Sequence, residues 1–378
     1  MNKIKKKKIF FISGSRSEYG QFSLLLKKLS TTKKINFKLI ITGMHLYEKF
    51  GKTYKEAIKD QIKIYKRIKI DSNVDNDFTI PNSFSLTVKK FTGFLIKEKP
   101  DLVILPGDRY EILAVAISCF FQNIPVVHFY GGDTSLGSQD EFFRNSISNI
   151  AKYHFVSHNL AKKKIIKKND ILKKFIFNYG ALSLDNINKS QFFTKKIVEK
   201  KIDINLNFKT ILLTYHPITV DQKVNRKEID ILLKSLKKLK NINIVFTYPN
   251  NDKGHDYIIN RIQNFCKTNS KKYKFYKSLG RKLYFSLIQY SKLIIGNSSS
   301  LLYEVPYLRR YSLNVGLRQK GRIFGNTVVN ISSDKKDISN IIYKYLKKDN
   351  PKQVTNPYYV KNSTKKILNK LFKIIENI

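Results

Sequence analysis

PDLVILPGDRYEILAVAISCFFQNIPVVHFYGGD, residues 100–133, decides the fold. DLVILP (101–106) is almost wholly apolar. A strand without polar alternation is buried on both faces, as in a parallel sheet covered by helices. YEILAVAISCFFQ then carries a helical pattern, and PVVHFY (125–130) is a second apolar run. Strand, helix and strand in this order make a parallel α/β unit.

The same alternation extends in both directions. IFFIS (9–13), NFKLIIT (36–42), YHFVS (153–157) and FIFNY (175–179) read as further strands of a first half, with FSLLLKKL, SLTVKKFTGFLIKE and EFFRNSISNIAKY as helices. Residues 186–208 are polar, rich in Lys and Asn and without a clear period, and read as a linker. Strands restart with TILLTYH (210–216), NINIVFTYP (241–249), KFYKSL (274–279), KLIIGNS (292–298), YSLNVG (311–316) and VVNIS (328–332). The final KNSTKKILNKLFKIIENI is an amphipathic helix, expected to pack back on the first half. The expected architecture is therefore α/β: two Rossmann-like, doubly wound domains, 1–185 and 186–357, facing a central cleft, with a C-terminal helix in 358–378. Ligands of such sheets sit beyond the C-terminal strand ends, where almost every motif below lies.

Length and composition bound the rest. A chain of 378 residues can fill two ordinary cores. No stretch approaches the ~20 apolar residues of a membrane span. In MNKIKKKKIFFISG the apolar run is too short for a signal peptide and leads into a glycine turn. With only Cys119 and Cys266, the expected compartment is a reducing cytoplasm without a disulfide framework. The net charge of +44 raises the prospect of nucleic acid or an anionic surface as partner. The lysines, however, interleave with Leu and Ile along the whole chain, as in KSLKKLKNI, and read as solvated helix faces of a Lys-rich composition. No nucleic-acid partner is expected. Of 72 basic residues only 11 are Arg, and six of these fall inside the loop motifs: Arg16, Arg109, Arg144, Arg281, Arg318 and Arg322. Arg retained in a Lys-rich chain points to planar, bidentate recognition of phosphate or carboxylate.

The motifs supply such groups. GSRSEYGQ (14–21) follows a strand and opens a helix; Gly14 permits a tight turn, and Arg16 adds charge beside free helix N–H groups. It is neither a P-loop nor GxGxxG. LPGDRYE (105–111) sets Asp108 at the end of a buried strand, as a site carboxylate or as a helix cap. HFYGGDTSLGSQDEFFRNSI (128–147) brings Asp133 and Asp140, or Glu141, into one loop after a double glycine, and Arg144 lies one turn beyond Asp140 as a candidate partner. TYHP (214–217) puts His216 at a strand end that Pro217 closes. Asn297, Ser298, Ser299 and Ser300 then precede a helix containing Glu304: hydroxyls and N–H groups suited to a diphosphate, and a carboxylate suited to ribose hydroxyls. NVGLRQKGR (314–322) adds Arg318, Lys320 and Arg322. No His/Cys spacing suggests a metal site.

In order, GSRSEYG, TGMHLYEKFG, PDLVILPGDRYE, HFYGGDTSLGSQDEFFRNSISNIAKYHFVS, YHPIT, SLGRKLYFSL, GNSSSLLYEVP and NVGLRQKGR resemble the hydrolysing UDP-N-acetylglucosamine 2-epimerases over residues 14–322. The resemblance implies a GT-B-like fold and conversion of UDP-N-acetylglucosamine and water to N-acetylmannosamine and UDP, a step toward sialic acids and surface polysaccharides. It implies no redox cofactor, and it is compatible with a homo-oligomer. It casts Asp108, Asp133 and Asp140 as catalytic carboxylates. Arg16, His216, Arg281, Asn297, Ser298, Ser299, Ser300, Glu304 and Arg318 become nucleotide-binding groups. Two positions depart from the pattern: Asp133 stands where the family commonly has Glu, and Leu301 where it commonly has Gly. Relatives act on other amino sugars, including bacillosamine derivatives. The rival readings are a GT-B glycosyltransferase, marked by an acceptor site; a non-hydrolysing epimerase, marked by a UDP-linked product; and a polyanion binder, marked by an unbroken Lys/Arg face.

Overall fold

The protein is described from a computed structural model that covers residues 6–70, 79–169, 173–189, 192–218, 221–250, 252–332 and 335–378. The first five residues of the basic opening run, residues 190 and 191 of the expected linker, and Thr219 of YHPIT lie outside the described residues.

The chain forms two compact units. The first comprises Met1–Asp133, Asp140–Asn186 and Val360–Ile378, and the second Thr134–Gln139 and Ile187–Tyr359. The strands of the first unit are β1 (Lys8–Ser13), β2 (Asn36–Ile41), β3 (Ile64–Arg67), β4 (Leu102–Pro106), β5 (Val126–Phe129), β6 (Tyr153–Val156) and β7 (Ile176–Asn178). The second holds β8 (Thr210–Thr214), β9 (Asn243–Thr247), β10 (Tyr273–Tyr276), β11 (Leu293–Gly296), β12 (Ser312–Val315) and β13 (Val328–Ile331). Between them run helices α1 (Arg16–Thr31), α2 (Lys55–Lys59), α3 (Thr79–Glu98), α4 (Tyr110–Phe121), α5 (Asp140–Ile150), α6 (Asn159–Asn169), α7 (Leu182–Lys189) and α8 (Lys195–Ile202). They continue with α9 (Gln222–Lys237), α10 (His255–Lys267), α11 (Gly280–Tyr290), α12 (Glu304–Tyr307), α13 (Ser339–Lys347) and α14 (Ser363–Glu376).

Both sheets are parallel, in the orders β3-β2-β1-β4-β5-β6-β7 and β10-β9-β8-β11-β12-β13. These are the two doubly wound α/β sheets expected from the alternation of apolar runs. β4, β8 and β9 are buried at every position, as strands covered on both faces must be. The first sheet separates two cores. Ile9, Phe11, Leu102 and Ile104 point into one with α1, while Phe10, Ile12, Val103 and Leu105 point into the other with α3 and α4. The alternation of side chains along a strand produces this division. α14 returns to the first unit, as its amphipathic pattern predicts. Ile367, Leu371, Ile374 and Ile375 join the α1 core, and Thr364 N–H donates to Asp185 Oδ2 at 2.7 Å.

Two elements depart from the sequence reading. The segment read as a linker contains α8, whose Val198 and Ile202 are buried beneath a Lys-rich outer face. β3, not expected from sequence, is an edge strand with mostly exposed side chains. It pairs with β2 through a register shift between Leu39 and Ile40.

Candidate active site

Strand order reverses between β1 and β4 in the first sheet and between β8 and β11 in the second. Loops leaving two such strands diverge to opposite faces and open a crevice beyond the strand ends. In the first unit those loops carry Gly14–Arg16 and Gly107–Asp108; in the second they carry His216 and Asn297. Of the expected site residues, Arg16, Asp108, His216 and Asn297 therefore follow the strands at the topological switch points of the two sheets.

In the first unit Arg144, on α5 and 1% exposed, organises the acidic groups. Its Nε donates to Asp108 Oδ2 at 3.2 Å, and its Nη2 forms a second, short contact to the same oxygen. Nη1 donates to the Asp133 carbonyl and to Glu141 Oε2, both at 3.0 Å. Lys164 on α6 also binds Glu141, at 2.7 Å. One guanidinium thus ties the loop after β4 to the loop after β5, a task matched to its planar fork. Asp108 and Glu141 are thus partners of Arg144. Asp108 does not cap α4, whose N-cap residue is Arg109 without a side-chain cap bond. Asp140 is the first residue of α5 and half-buried.

Asp133 is 1% exposed. Its Oδ1 accepts His158 Nε2–H at 2.6 Å and the Ser157 hydroxyl at 3.1 Å. Both donors follow β6. The sequence reading stopped that strand at Ser157 and missed His158, although the residue after a strand's C-terminal end is where such a group is expected. The double glycine before Asp133 leaves room for other atoms of the protein itself. A Cβ on Gly132 (φ +79°) would lie 2.4 Å from the Ala161 carbonyl oxygen, and one on Gly131 2.6 Å from Ser148 Oγ.

Beneath Arg16, Ser15 and Glu18 form a capping box at the start of α1. Glu18 Oε2 accepts the N–H groups of Gly14 and Ser15 at 2.6 and 3.0 Å. Burial, and then the neighbouring Glu111 carboxylate, push Glu18 up to about 8; Arg109 and the two N–H groups oppose the rise. Arg109 Nε binds Glu111 Oε1 at 2.7 Å. Gly14 was expected to serve a tight turn, but its φ lies outside the left-handed region. Its missing side chain makes room for Glu111, whose Oε1 lies 2.8 Å from where a Cβ would stand. Two histidines of the same unit are held neutral by burial. His45, between Ser13 and Thr53, is pushed down to about 3, and His128, between Gly107 and Ser148, to about 4.

In the second unit Asn297 is fully buried and pairs with His216 in both directions. His216 N–H donates to Asn297 Oδ1 at 2.6 Å, and Asn297 Nδ2 donates to His216 O at 2.9 Å. The amide extends the β8–β11 ladder past its last backbone pair. His216 Nδ1 accepts Asn250 N–H at 3.0 Å, so the ring is clamped between the loops after β8 and β9. Gln319 Nε2 and Arg318 Nη1 both donate to Asn297 O, at 2.7 and 3.4 Å. The serines form a 3₁₀ turn, Ser299–Leu301, in which Ser298 Oγ accepts Ser300 N–H and Tyr284 donates to Ser300 Oγ at 3.0 Å. Glu304 is the first residue of the short helix α12 and is buried. Leu301 is buried and holds the turn against the core. Arg281 lies in the first turn of α11, half-buried. The segment Thr134–Gln139 belongs to this unit too. Leu136 N–H donates to Lys320 O at 3.0 Å, and Gly137 lies against Leu317. Among the described residues no helix is long and apolar enough to cross a membrane.

Comparison with known proteins identifies the family and the fold. The family described as UDP-N-acetylglucosamine 2-epimerase matches residues 27–372. A hydrolysing GDP/UDP-N,N'-diacetylbacillosamine 2-epimerase of Campylobacter jejuni is 39% identical, across 86% of this chain and 84% of its own. Polysialic acid biosynthesis protein P7 of Escherichia coli is 34% identical, across 94% and 91%. The solved structure of a Neisseria meningitidis UDP-GlcNAc 2-epimerase bound to UDP-GlcNAc superposes with a TM-score of 0.81 at 20% identity, covering 97% of this chain and all of that one, and so shares the GT-B-like fold. With both sheets, their switch-point loops and a family match across most of its length, this chain belongs to the UDP-N-acetylglucosamine 2-epimerase family.

Proposed function

We propose that this chain is a hydrolysing 2-epimerase of the cytoplasm, converting a UDP-linked acetamido sugar and water to the free 2-epimeric sugar and UDP. The observation that carries the reading is Arg144, which ties Asp108 and the Asp133 loop into one acidic cluster beyond the C-terminal strand ends. Reversal at C2 requires a proton to leave one face and another to arrive on the opposite face, so it needs an acceptor and a donor. In the first step a carboxylate takes the C2 proton. The C2–H electron pair becomes the C1=C2 bond as the C1–O bond to UDP breaks, and the leaving diphosphate keeps that bond's electrons. In the second step water adds its oxygen to C1 and gives up one proton to a carboxylate, while a carboxylic acid returns a proton to C2 from the other side, the C1=C2 electron pair forming the new C2–H bond. Asp108 and Asp133 take these acid and base roles, with Asp140 assisting hydration. Recognition of the nucleotide falls to Arg16, His216, Arg281, Asn297, Ser298, Ser299, Ser300, Glu304 and Arg318, whose donors balance charge growing on the diphosphate.

UDP-N-acetylglucosamine is the first substrate to test. A diacetylbacillosamine-type sugar is the second, favoured by the 39% identity with the Campylobacter enzyme. Each is incubated with the protein in heavy water and followed by NMR. The expected products are free 2-epimer and UDP in equal amounts, with deuterium at C2. A UDP-linked 2-epimer would instead mark a non-hydrolysing epimerase. Free sugar retaining protium at C2 would mark simple hydrolysis.

A further inference from the structure

We propose that His158 is a positioning residue for Asp133: the two form a dyad in which the imidazole fixes the carboxylate that exchanges a proton with the sugar. The inference rests on the reading of Asp133 given under Proposed function.

Three bonds define the arrangement. His158 Nε2 lies 2.6 Å from Asp133 Oδ1. On the other side of the ring, Nδ1 accepts Ala161 N–H at 3.0 Å, so the imidazole caps the start of α6. An Nδ1 that accepts carries no proton, so the ring proton is on Nε2 and is donated to Asp133. Ser157 donates to the same Oδ1 at 3.1 Å. Two donors on Oδ1 favour the charged carboxylate. Among the groups facing this loop from other elements are Arg144 on α5 and Lys164 on α6, both directed at the Asp133 carbonyl, at 3.0 and 3.5 Å, with Glu141 bound to each.

The short side chain of Asp133 keeps its carboxylate close to its own backbone. His158 and Ser157, rising from the end of the adjacent strand β6, meet it there. The short acid and its imidazole form one unit, and the orientation of Asp133 is set from behind.

Two substitutions separate the two ends of the ring. Asn carries its side-chain oxygen near the place of histidine Nδ1, so His158→Asn keeps an acceptor for Ala161 N–H and loses the donor to Asp133. Gln reaches the place of Nε2, so His158→Gln keeps the donor and loses the cap. Asp133 is observed directly by ¹³C NMR titration of the protein labelled at aspartate carboxyls, with Asp133→Asn giving the assignment. His158→Asn is expected to raise the Asp133 midpoint by about one unit, since a donor to the charged form has been removed. It should lower kcat ~10–10²-fold and move the acidic limb of its pH profile in the same direction. His158→Gln should leave the midpoint and the pH profile near those of the parent while lowering the melting temperature. An unmoved midpoint in His158→Asn overturns the dyad whatever the activity. A moved midpoint with unchanged kcat overturns the positioning role. A moved midpoint in a protein that releases no UDP from either substrate leaves the dyad standing and removes the epimerase reading.

Discussion

Arg144 holds the carboxylate of Asp108 through both Nε and Nη2. The same guanidinium also binds Glu141 and the Asp133 carbonyl, so a Lys there cannot replace it: a single ammonium lacks the fork to reach all three. Arg144→Lys should lower kcat ~10–10²-fold by misplacing the loops after β4 and β5. Arg144→Ala should cost on the order of 1–3 kcal/mol in urea unfolding, because the Asp133 carbonyl loses a charged donor while Asp108 keeps some access to water. An Arg144→Lys enzyme with parental kcat would show that the clamp is not part of catalysis.

Asp108→Asn and Asp133→Asn each preserve shape and remove a base. At least two of the three variants at Asp108, Asp133 and Asp140 should lose ~10²–10⁴-fold in kcat, with UDP affinity little changed. Steady-state kinetics and calorimetric UDP titration separate the two quantities. A fully active Asp108→Asn enzyme would sink the two-carboxylate mechanism.

The nucleotide half is tested at Asn297, whose side chain carries both bonds to the His216 backbone. Asn297→Ala leaves a buried N–H and a buried carbonyl without that partner and loosens the loop after β8. UDP binding should weaken ~10–10²-fold, which corresponds to about 1.4 kcal/mol per factor of ten. Arg281→Ala and Glu304→Ala should raise KM with kcat nearly constant, the signature of ground-state recognition. UDP titration of all three variants is the measurement, and parental affinity throughout would remove the nucleotide from these loops.

Strands such as DLVILP were legible because all-apolar runs have one explanation in a parallel sheet. β3 was not: its sequence IYKR belongs to an edge, where side chains face water and no pattern marks them. α8 was hidden for a similar reason, since only Val198 and Ile202 are buried on it and the surrounding lysines mask the period. Asp108 and Asp133 stood out as candidates from their positions after strands, but their partners did not. His158 lies 25 residues from Asp133 and meets it only because β5 and β6 are neighbours. The bond between Arg144 and Asp108 spans 36 residues and lies beyond the reach of local spacing.

Glu18 ends in a buried carboxyl group beside Glu111 and should give the fold a measurable pH dependence. Burial and the Glu111 charge raise Glu18 from its ordinary value of 4.5 to about 8. A carboxyl raised on folding binds its proton more tightly in the folded state. Its stabilising contribution is complete below about 4.5 and is lost as pH rises through about 8. Glu18→Gln removes the titration and keeps an oxygen to accept the Gly14 and Ser15 N–H groups, so the capping box at the start of α1 retains these bonds. The amide nitrogen takes the place of an oxygen that has no hydrogen-bond partner among the described residues. Relative to the parent, the Gln variant should therefore gain stability steadily between pH 5 and pH 8, by on the order of 1 kcal/mol per pH unit, and level off above that range. Urea midpoints of both proteins at pH 5, 6.5 and 8 provide the test. A difference that stays constant across the three would mean that Glu18 is ionised in the folded protein at pH 5, held so by Arg109.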